Sequence, residues 1–489
     1  MGAVAAVVNK EGGDAAETAI SMLRALKHRS TGTYGIASVT RVSIEKSVEV
    51  LKKQSINSPV VIGYAFSKTL PQDKTQPIEL DGATLAFEGR LYPANRQLSD
   101  AEFAAEKLKQ NHEKAAKTFM EKFEGDFAFA VAEPNKLIAG RDPLGVCPLY
   151  YGENKTVLAL ASERKALWKI GIRETGSFPP GDLAIADKQG FEFKPVRSRV
   201  KGDITRISVG DATMKLQTLL QRSIRKRVSG LKDIAVAFSG GLDSSLIAFL
   251  AKQTGVNVHL VFVSLADQPE IEYAKKAADA LKLRVHVKLY DERDVERVLP
   301  KVLWLIEEAD PIKASIGVPF YWVAENAAKM GLKVMLAGQG ADELFGGYMR
   351  YVTAYSREGK GRAREIIFKD VLKMHEANFE RDSKICGYHN VELRLPFATY
   401  EVAEFAVSLP LELKMESACD TKRKLVLRRV ARSDGLPEFI ANKPKKAIQY
   451  ATGVSKILKK LAKRKGLSMR EYVKNVFKNA FLNGDEKTW

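Results

Sequence analysis

The sequence predicts two successive folds: an α+β part over residues 1–200 and an α/β part over residues 201–489 that ends in helices. Before residue 200, short apolar runs are separated by Gly, Pro and Asn, which is typical of antiparallel strands. After residue 200, strands and helices alternate, which indicates a parallel doubly wound sheet. We expect the boundary between the two parts to fall between residues 195 and 212.

The first part is predicted to consist mostly of strands. Each expected strand is a short apolar run bounded by turn residues, and each expected helix has apolar residues three or four positions apart. The expected strands are Ala3–Val8, Val60–Phe66, Ala83–Phe87, Asp126–Ala132, Lys136–Ala139 and Thr156–Ala161. The expected helices are Ala15–Leu26, Asp100–Asn111 and Ala115–Phe123.

The second part begins with a long basic amphipathic helix and then alternates between the two kinds of element. The expected strands are Asp233–Phe238, Val256–Val263, Arg284–Leu289 and Lys333–Leu336. The expected helices are Thr213–Val228, Ser244–Lys252, Glu270–Leu281, Asp294–Glu308 and Val318–Lys329. Beyond residue 350 the pattern indicates helices almost throughout.

The composition excludes several classes of protein. With 45% apolar and 28% charged residues, the 489-residue chain resembles ordinary globular proteins. No apolar run reaches the ~18–20 residues that span a bilayer, and the N-terminal apolar stretch predicts a strand rather than a signal peptide. Cys147, Cys386 and Cys419 form no C-x-x-C pair, which excludes a disulfide framework and a cysteine-rich zinc site. We therefore expect a cytoplasmic protein without a membrane partner.

The charge is strongly basic, with 78 Lys and Arg against 59 Asp and Glu, a formal net charge of +19. Residues 443–489 alone carry 13 basic and three acidic side chains. Such a tail is typical of a solvated helical surface, and a surface that binds polyanions is the alternative. Because no C-x-x-C pair and no aromatic–glycine motif for RNA accompany it, a nucleic-acid partner is not expected.

The most informative motif is a glycine- and serine-rich loop between an apolar strand and a helix, Ser239-Gly240-Gly241-Leu242-Asp243-Ser244-Ser245. Glycines permit positive φ and a close approach of the backbone to an anion, and the N–H groups of the following helix point to the same place. Asp243 is a candidate Mg²⁺ ligand, because a bare carboxylate would repel phosphate. The sequence is neither a Walker A loop nor a G-x-G-x-x-G dinucleotide motif. It predicts a phosphate site at the carboxyl end of a strand.

A second strand-to-turn element, residues 334–348, brackets Asp342 and Glu343 with four glycines. Carboxylates in glycine-rich turns suit a metal–phosphate site, and Asp342 is the better second ligand for Mg²⁺ beside Asp243. The alternative is a helix N-terminus with favourably placed acids.

These two motifs together resemble the glutamine-dependent asparagine synthetases and their relatives, which include the β-lactam synthetases. The first is similar to the SGGxDS loop of ATP pyrophosphatases, and the second to the family's GxGxDELFGGY segment. Further similar segments are GRDPLGVCPLYY (140–151), ASERKAL (161–167), FPPGD (178–182) and HNVELRLPF (389–397). The resemblance implies an Ntn-hydrolase-like glutaminase domain with an αββα sandwich over residues 1–200. It also implies an ATP-pyrophosphatase domain, adenine nucleotide α-hydrolase-like, over residues 201–489.

The resemblance also implies an activity. In the family, ATP adenylates the side chain of aspartate with release of pyrophosphate, and ammonia attacks the aspartyl-AMP to give asparagine. The residues that would bind pyrophosphate are Ser239, Gly240, Gly241, Asp243 and Ser244. Asp243 and Asp342 would hold Mg²⁺, and Ala237, Val263 and Gly338 would lie around the nucleoside. The family's phosphate-facing lysine falls at Lys446, with Lys445 as the alternative because the spacing from Lys446 to Gly453 is one residue longer than expected for the family.

The glutaminase half departs from the family at its catalytic positions. Gly2 stands where the family has the nucleophilic cysteine, and Ala65 stands where an arginine holds the carboxylate of glutamine. The oxyanion motif Asn-Gly-Glu reads Glu88-Gly89-Arg90, and an acid at its first position would repel the oxyanion. Gly89 and Asp100 are retained. We therefore expect an inactive glutaminase, with ammonia taken free or from a separate glutaminase subunit, in a chain that could form a homodimer.

The synthetase half has departures of its own. Gln339 replaces a glutamate that helps ammonia to lose a proton in the family, and an amide cannot accept that proton. Ala398 and Thr399 stand where the family commonly has Leu-Asp. These changes leave open a ligase of the same fold that acts on another carboxylate or amine. A tRNA-associated enzyme with the same phosphate loop is a further alternative.

Overall fold

The computed structural model describes residues 2–54, 56–92, 97–197, 203–416 and 422–482, so Cys419 lies outside the described residues. The chain forms two compact units, residues 1–199 and 200–489. The boundary predicted from the sequence lies after residue 200.

The first unit is built from antiparallel strands with a few helices. Its strands are β1 (Ala3–Asn9), β2 (Thr33–Ser38), β3 (Arg41–Glu45), β4 (Val60–Phe66), β5 (Ile78–Glu79), β6 (Thr84–Leu91), β7 (Gly125–Ala132), β8 (Leu137–Arg141), β9 (Tyr150–Glu153), β10 (Val157–Ala161), β11 (Gly176–Ser177), β12 (Asp182–Asp187) and β13 (Gly190–Pro195). Its helices are α1 (Ala16–Ala25), α2 (Val48–Leu51), α3 (Asp100–Lys107), α4 (His112–Lys122) and α5 (Arg164–Lys169).

These strands form two sheets. One has the order β11-β9-β10-β1-β4-β2-β3 and the other the order β13-β12-β8-β7-β6-β5. Alternate residues of β1 face opposite sides, so Val4, Ala6 and Val8 pack between the two sheets while Ala3 and Ala5 pack under α1. A third core lies between the second sheet and helices α3 and α4. The unit therefore has four layers, with the two sheets in the middle and helices outside.

The second unit alternates strands and helices and then becomes helical. Its strands are β14 (Asp233–Ala237), β15 (Asn257–Leu265), β16 (Val285–Tyr290), β17 (Val334–Leu336) and β18 (Glu392–Arg394). Its helices are α6 (Val209–Val228), α7 (Leu242–Lys252), α8 (Glu270–Leu281), α9 (Glu292–Ile306), α10 (Pro311–Lys329), α11 (Ala341–Phe345), α12 (Met349–Glu358), α13 (Lys360–Met374), α14 (Glu380–Tyr388), α15 (Tyr400–Ser408), α16 (Leu425–Ser433), α17 (Glu438–Ala441), α18 (Ile448–Ala451), α19 (Val454–Arg464) and α20 (Met469–Leu482).

The five strands of this unit form one parallel sheet with the order β16-β15-β14-β17-β18. The strands that follow β14 in the chain, β15 and β16, lie on one side of β14. The last two strands, β17 and β18, lie on its other side. The strand order therefore reverses between β14 and β17, and the loops after these two strands open a crevice at their carboxyl ends. Such a switch point is where open α/β sheets bind ligands.

The predicted elements are mostly confirmed, with differences at their ends. β4 and α8 have the predicted limits, whereas α7 begins at Leu242, two residues early, so that Asp243 lies in its first turn. The expectation of helices beyond residue 350 misses β18, a buried strand of three residues that pairs with β17. So short a strand has too few residues to show a period of two. In the part of the chain that the structure describes, no helix is both long and apolar enough to span a membrane.

Candidate active site

The loop after β14 has the geometry of an anion cradle. Gly240 has φ of +67°, and a Cβ there would lie 3.1 Å from the Cα of Ala274, so only glycine fits. Gly241 is the N-cap of α7 with φ of −76°, so the prediction of positive φ is wrong for this second glycine. Its extended backbone turns the chain into the helix and directs the first N–H groups of α7 toward the loop.

Two serine hydroxyls close the loop on itself. The N–H of Ser239 donates to the Oγ of Ser244 at 3.2 Å, and the two hydroxyl oxygens are 3.2 Å apart. The N–H of Gly241 donates to the Oγ of Ser239 at 3.3 Å. These long bonds hold both hydroxyls inside the turn, where an anion would also meet the N-terminus of α7.

Asp243 and Asp342 meet at the switch point, each from the helix that follows one of the two strands. Lys424 joins them: its Nζ is 2.7 Å from Oδ2 of Asp243 and 2.6 Å from Oδ1 of Asp342. Lys445 contacts Asp342 from the other side, with Nζ 2.6 Å from Oδ2. Two carboxylates and two ammonium groups thus form one charged cluster between the loop and the turn after β17.

The cluster fixes the ionisation of its members. Burial would raise the pKa of Asp342, but Lys424 and Lys445 outweigh it and hold that pKa far below its usual range. Burial would lower the pKa of Lys445, but Asp342 and Asp243 outweigh it and raise that pKa. Asp342 is therefore an anion, and Lys445 a cation, at physiological pH.

A cavity opens above this cluster, with a volume of about 1160 Å³ measured out to its open mouth. Its walls include almost all residues that the sequence analysis assigns to nucleotide, metal and catalysis. These are Ala237, Ser239, Asp243, Ser244, Val263, Gly338, Gln339, Asp342 and Lys446. The apolar wall, with Phe262, Ile316, Phe320 and Val323, suits a flat heterocycle. Gly240 lines neither this cavity nor its smaller neighbour.

A smaller pocket adjoins the loop on its other side and is strongly basic. Ser239, Gly241 and Asp243 line it together with basic side chains from the region beyond residue 420. The basic residues are Arg423, Lys424, Arg428, Lys443, Lys445 and Lys446. Of the described residues that line this pocket, only Asp243 and Glu270 are acidic. A pocket of this charge beside a glycine–serine loop is suited to a polyphosphate.

Arg428 holds the basic pocket in shape. Its guanidinium donates to the carbonyl oxygen of Arg423 at 2.7 Å and to that of Lys443 at 3.1 Å, so it ties together the two segments that supply the lysines. Lys443 lies over the ring of Tyr273, with Nζ 3.3 Å from the ring centroid, and burial lowers the pKa of Lys443 to about 8. Arg428 thus holds in place the two segments that carry Lys424 and Lys445.

The two candidate lysines have different partners. Lys446 pairs with Glu270 and keeps 45% of its side chain exposed. Lys445 pairs with Asp342 and is 27% exposed. Both line the two pockets, but Lys445 belongs to the carboxylate cluster whereas Lys446 is neutralised at the rim. These contacts favour Lys445, the alternative that the sequence analysis left open.

Gln339 belongs to a buried polar chain. Its Nε2 donates to Asp382, and Asp382 accepts from Arg381 at 2.7 and 2.9 Å. Burial raises the pKa of Asp382 in spite of these partners. Gln339 and Arg381 both line the large cavity. A glutamate at position 339 would face the carboxyl group of Asp382, which explains in physical terms why an amide suits this position.

Thr399 does not contribute to the cavity. Its hydroxyl accepts from the N–H of Val402 at 3.1 Å and caps helix α15. Aspartate is an equally good N-cap, so this difference from the family leaves the helix capped. Gln339, not Thr399, is therefore the departure that faces the reaction space.

Two carboxylates are available for a metal ion. No cluster of three or more His, Cys, Asp or Glu suited to a metal occurs among the described residues. Oδ1 of Asp243, however, is buried and has no hydrogen-bond partner. Mg²⁺ is commonly bound by one or two carboxylates together with phosphate oxygens and water. Asp243 and Asp342 would therefore suffice as its protein ligands.

In the first unit, the position of the expected nucleophile is closed. A Cβ built on Gly2 would lie 2.4 Å from the carbonyl oxygen of Ala65 and 2.5 Å from the ring of Tyr64. The nearby pocket, about 370 Å³ to its mouth, is lined by Gly2, Gly89, Arg90 and Asp100 among others. Arg90 pairs with Asp73 at 2.5 Å and with Asp100 at 3.1 Å. Asp100, which is retained from the family, therefore pairs with Arg90, the residue at the position of the family's glutamate.

Glu88 does not point at an oxyanion site but belongs to a buried ion network. Arg29 donates to Glu88 at 2.7 Å and to Glu163 at 2.9 Å, and the hydroxyl of Ser162 donates to Glu88 at 2.5 Å. All three charged side chains are fully buried. The Sγ of Cys147 lies 3.7 Å from the carbonyl oxygen of Glu88, consistent with a structural thiol whose pKa burial raises.

We expect Arg29→Met to destabilise this unit by about 3–5 kcal/mol, because Glu88 would stay buried without its main cation and Glu163 would keep only Lys165 and His28 as partners. Urea unfolding followed by circular dichroism measures the change. Lys27→Met, which removes an exposed pair with Glu49, is the matched control and should cost less than about 1 kcal/mol. Equal losses in the two variants would contradict a supporting role for the network.

The comparisons with known proteins agree with this arrangement. The asparagine synthase family profile matches residues 215–363 and 352–487, and the glutamine amidotransferase domain profile matches residues 68–169. “Putative asparagine synthetase 1 (glutamine-hydrolyzing)” of Methanocaldococcus jannaschii is 32% identical over 96% of this chain and 97% of its own length. Asparagine synthetase B (glutamine-hydrolyzing) of Escherichia coli is 26% identical over 68% of this chain and 63% of its own length. Among solved structures, glutamine phosphoribosylpyrophosphate amidotransferase of B. subtilis, complexed with ADP and GMP, matches with a TM-score of 0.36 and 16% identity, over 58% of this chain and 65% of that one.

Proposed function

Because this chain belongs to the asparagine synthetase family, we propose that it is an ATP-dependent carbon–nitrogen ligase that makes asparagine. The side-chain carboxylate of aspartate attacks the α-phosphorus of ATP, and the bond to pyrophosphate breaks. Ammonia then attacks the acyl carbon, AMP leaves, and the extra proton on the nitrogen passes to solvent water. The observation that carries the proposal is the meeting of the serine loop, Asp243, Asp342 and Lys445 in one cavity at the switch point.

The phosphates are held by the chain's own donors in this proposal. The hydroxyls of Ser239 and Ser244, with the first N–H groups of α7, bind the β- and γ-phosphates that leave as pyrophosphate. Arg423 and Lys424 add charge from the opposite wall of the basic pocket. The nucleoside lies against Ala237, Val263 and Gly338 in the apolar half of the cavity.

Asp243 and Asp342 would hold Mg²⁺, which when bound supplies positive charge to the phosphate oxygens. Lys424 and Lys445 lie beside the same two carboxylates and can turn toward phosphate. Lys445 is the cation that we assign to the α-phosphate, since it lines both pockets and pairs with Asp342. There it offsets the negative charge that grows as the carboxylate attacks.

The first unit is, in this proposal, a degenerate Ntn-hydrolase-like glutaminase domain, and the second an ATP-pyrophosphatase domain. The layer order of helices, two sheets and helices supports the first assignment. The strand order around the switch point supports the second. Tyr64 and the backbone of Ala65 occupy the space that a nucleophile on residue 2 would need, which supports loss of amidase activity.

We expect Gly2→Cys to leave the protein without glutaminase activity. The new Cβ would overlap Ala65 and Tyr64. The altered motif would also provide no site that stabilises the oxyanion. Glutamate release from glutamine, measured by a coupled dehydrogenase assay, tests this. Glutamate formed by the variant at a rate above that of the parent chain would show that one residue alone accounts for the loss.

A ligase with a different acid or amine is the second candidate, and Gln339 is the observation that favours it. Its amide is bound to Asp382, so residue 339 cannot take the proton that ammonia must lose. A more basic amine as nucleophile, or an acid that reaches Arg381, would fit the same cavity.

The decisive experiment measures pyrophosphate released from ATP and Mg²⁺ with aspartate, with ammonium or glutamine as the nitrogen source, followed by product analysis. Asparagine formed with ammonium and not with glutamine supports the proposal as stated. Pyrophosphate release that requires another acid, with none from aspartate, would favour the second candidate. No release with any acid would overturn both.

A further inference from the structure

Lys414 is a buried lysine outside the active site. It follows a short helical turn, Leu411–Leu413, and only 3% of the residue is exposed. No hydrogen bond or ion pair joins its Nζ to another described residue. Lysine is almost never buried to this degree without a partner, so its retention calls for a function or a ligand.

A cavity of about 720 Å³, measured out to its open mouth, adjoins Lys414. Its walls come from α13, from the end of α15 and from the turn before Lys414. They are mainly apolar, with Ile367, Phe368, Val407, Leu409 and Leu411. The lining is that of a site for an apolar body with one polar end.

The charges around the cavity favour an anionic end. Arg364 and Glu365 are the other charged side chains in its lining. Glu365 is directed to Arg362 and Lys369, at 2.9 and 2.5 Å, so its carboxylate is already engaged. Burial, with a smaller contribution from Arg364, lowers the pKa of Lys414 to about 7. An arriving carboxylate would restore the charge of Lys414.

We infer that this cavity binds a small monocarboxylate with an apolar chain, its carboxylate on Lys414 and its chain against Ile367, Leu409 and Leu411. A carboxylate converts the unpartnered amine into an ion pair in low dielectric, and the chain covers apolar wall that water now meets. A purely apolar ligand would leave Lys414 unpaired.

The position of the cavity gives such a ligand a route to the active site. A Cβ built on Gly346, at the end of α11, would lie 3.3 Å from the Cβ of Lys414, so Lys414 packs behind the helix that carries Asp342. The carbonyl oxygen of Lys414 also accepts from the N–H of Leu425 at 3.1 Å. Leu425 follows Lys424, which bridges the two active-site carboxylates. The ligand is therefore expected to act as an effector.

Isothermal titration calorimetry of the full chain with hexanoate tests the binding. We expect saturable binding at pH 8, with affinity rising about fourfold per methylene from butanoate to hexanoate. Hexanamide, which has the same chain without the charge, should bind at least tenfold more weakly. Absence of saturable binding by hexanoate would overturn the inference.

Lys414→Met keeps the side-chain volume and removes the amine. We expect this variant to unfold at no lower temperature than the parent and to lose at least tenfold in hexanoate affinity. Lys373→Met, on the same helix as Arg364 but exposed and outside the lining, should bind hexanoate as the parent does. Equal affinity of Lys414→Met and the parent chain would contradict the site.

Two further readouts separate a ligand site from a merely structural lysine. Hexanoate binding at pH 8 should take up a proton, seen as a binding heat that depends on the buffer, and Lys414→Met should abolish that dependence. Saturating hexanoate should shift the Kd of a non-hydrolysable ATP analogue with Mg²⁺ by about fivefold or more, and the analogue should shift hexanoate affinity by the same factor. An unchanged nucleotide affinity would overturn the effector role. Neither binding measurement depends on which acid the enzyme adenylates, so failure here is distinct from failure of the proposed function.

Discussion

Asp243→Asn is expected to lower the rate of pyrophosphate release by about three orders of magnitude. The substitution keeps the size of the side chain but replaces one of two carboxylates beside the phosphate loop, whose Oδ1 is buried without a protein partner, by a neutral amide that binds a metal ion more weakly. Loss of a metal ligand removes several kcal/mol of transition-state stabilisation, which corresponds to a rate change of that size. Phosphate-coupled detection of pyrophosphate measures it.

Asp233→Asn is the matched control, since Asp233 lies at the opposite end of β14 and its side chain is 37% exposed beside His259. The control should keep its activity within about fivefold of the parent. Raising Mg²⁺ should restore part of the loss in Asp243→Asn if the carboxylate acts through metal affinity. Full activity of Asp243→Asn at low Mg²⁺ would remove Asp243 from the site.

Lys445→Met is expected to reduce pyrophosphate release by about 10²–10³-fold, the effect of losing one charged group that faces a developing charge. Lys446→Met is expected to stay within about fivefold, because its pair with Glu270 is half exposed and such pairs contribute ~1 kcal/mol or less. The two substitutions are adjacent and identical in kind, so each is the control for the other.

Single-turnover measurements locate the effect. We expect the affinity for ATP to change little in Lys445→Met while the rate of the adenylation step falls, since the lysine is assigned to the transition state. The reverse order, with Lys446→Met the slower enzyme, would return the assignment to Lys446 and would require its pair with Glu270 to open.

The sequence was sufficient for the parallel sheet because its elements are long and strongly patterned. β14, α7, β15 and α8 follow one another with clear apolar periods. It was insufficient for β2, β3 and β9, where small or polar residues interrupt the alternation. β18 is too short for a pattern, and its pairing with β17 is a tertiary contact between residues some sixty positions apart.

The site divides in the same way. The loop at Ser239 and the turn at Asp342 are local motifs, so the sequence shows them directly. The bridge that Lys424 makes between Asp243 and Asp342 joins residues 181 and 82 positions away, and no local pattern marks it. A basic run, Lys422 to Lys424, was the available signal, but many such runs only face solvent.

Glu88 shows a different limit. In the family motif this position faces the oxyanion, so an acid there is expected to repel it. That expectation requires the carboxylate of Glu88 to be exposed in the glutaminase site. The structure instead buries Glu88 between Arg29 and Ser162. Arg29 lies in a basic turn after α1 that the sequence marks only as a helix end, so the pairing required the fold.

The six basic side chains around the smaller pocket have a consequence for turnover. A concave, positively charged surface that draws in a triphosphate also retains the diphosphate left behind after cleavage. In the proposed reaction we expect departure of that product to be slow, as product release is in many efficient enzymes. With the product held close, the acyl-adenylate can readily be converted back to ATP. The net direction of synthesis would therefore depend on how quickly the surrounding solution consumes free pyrophosphate.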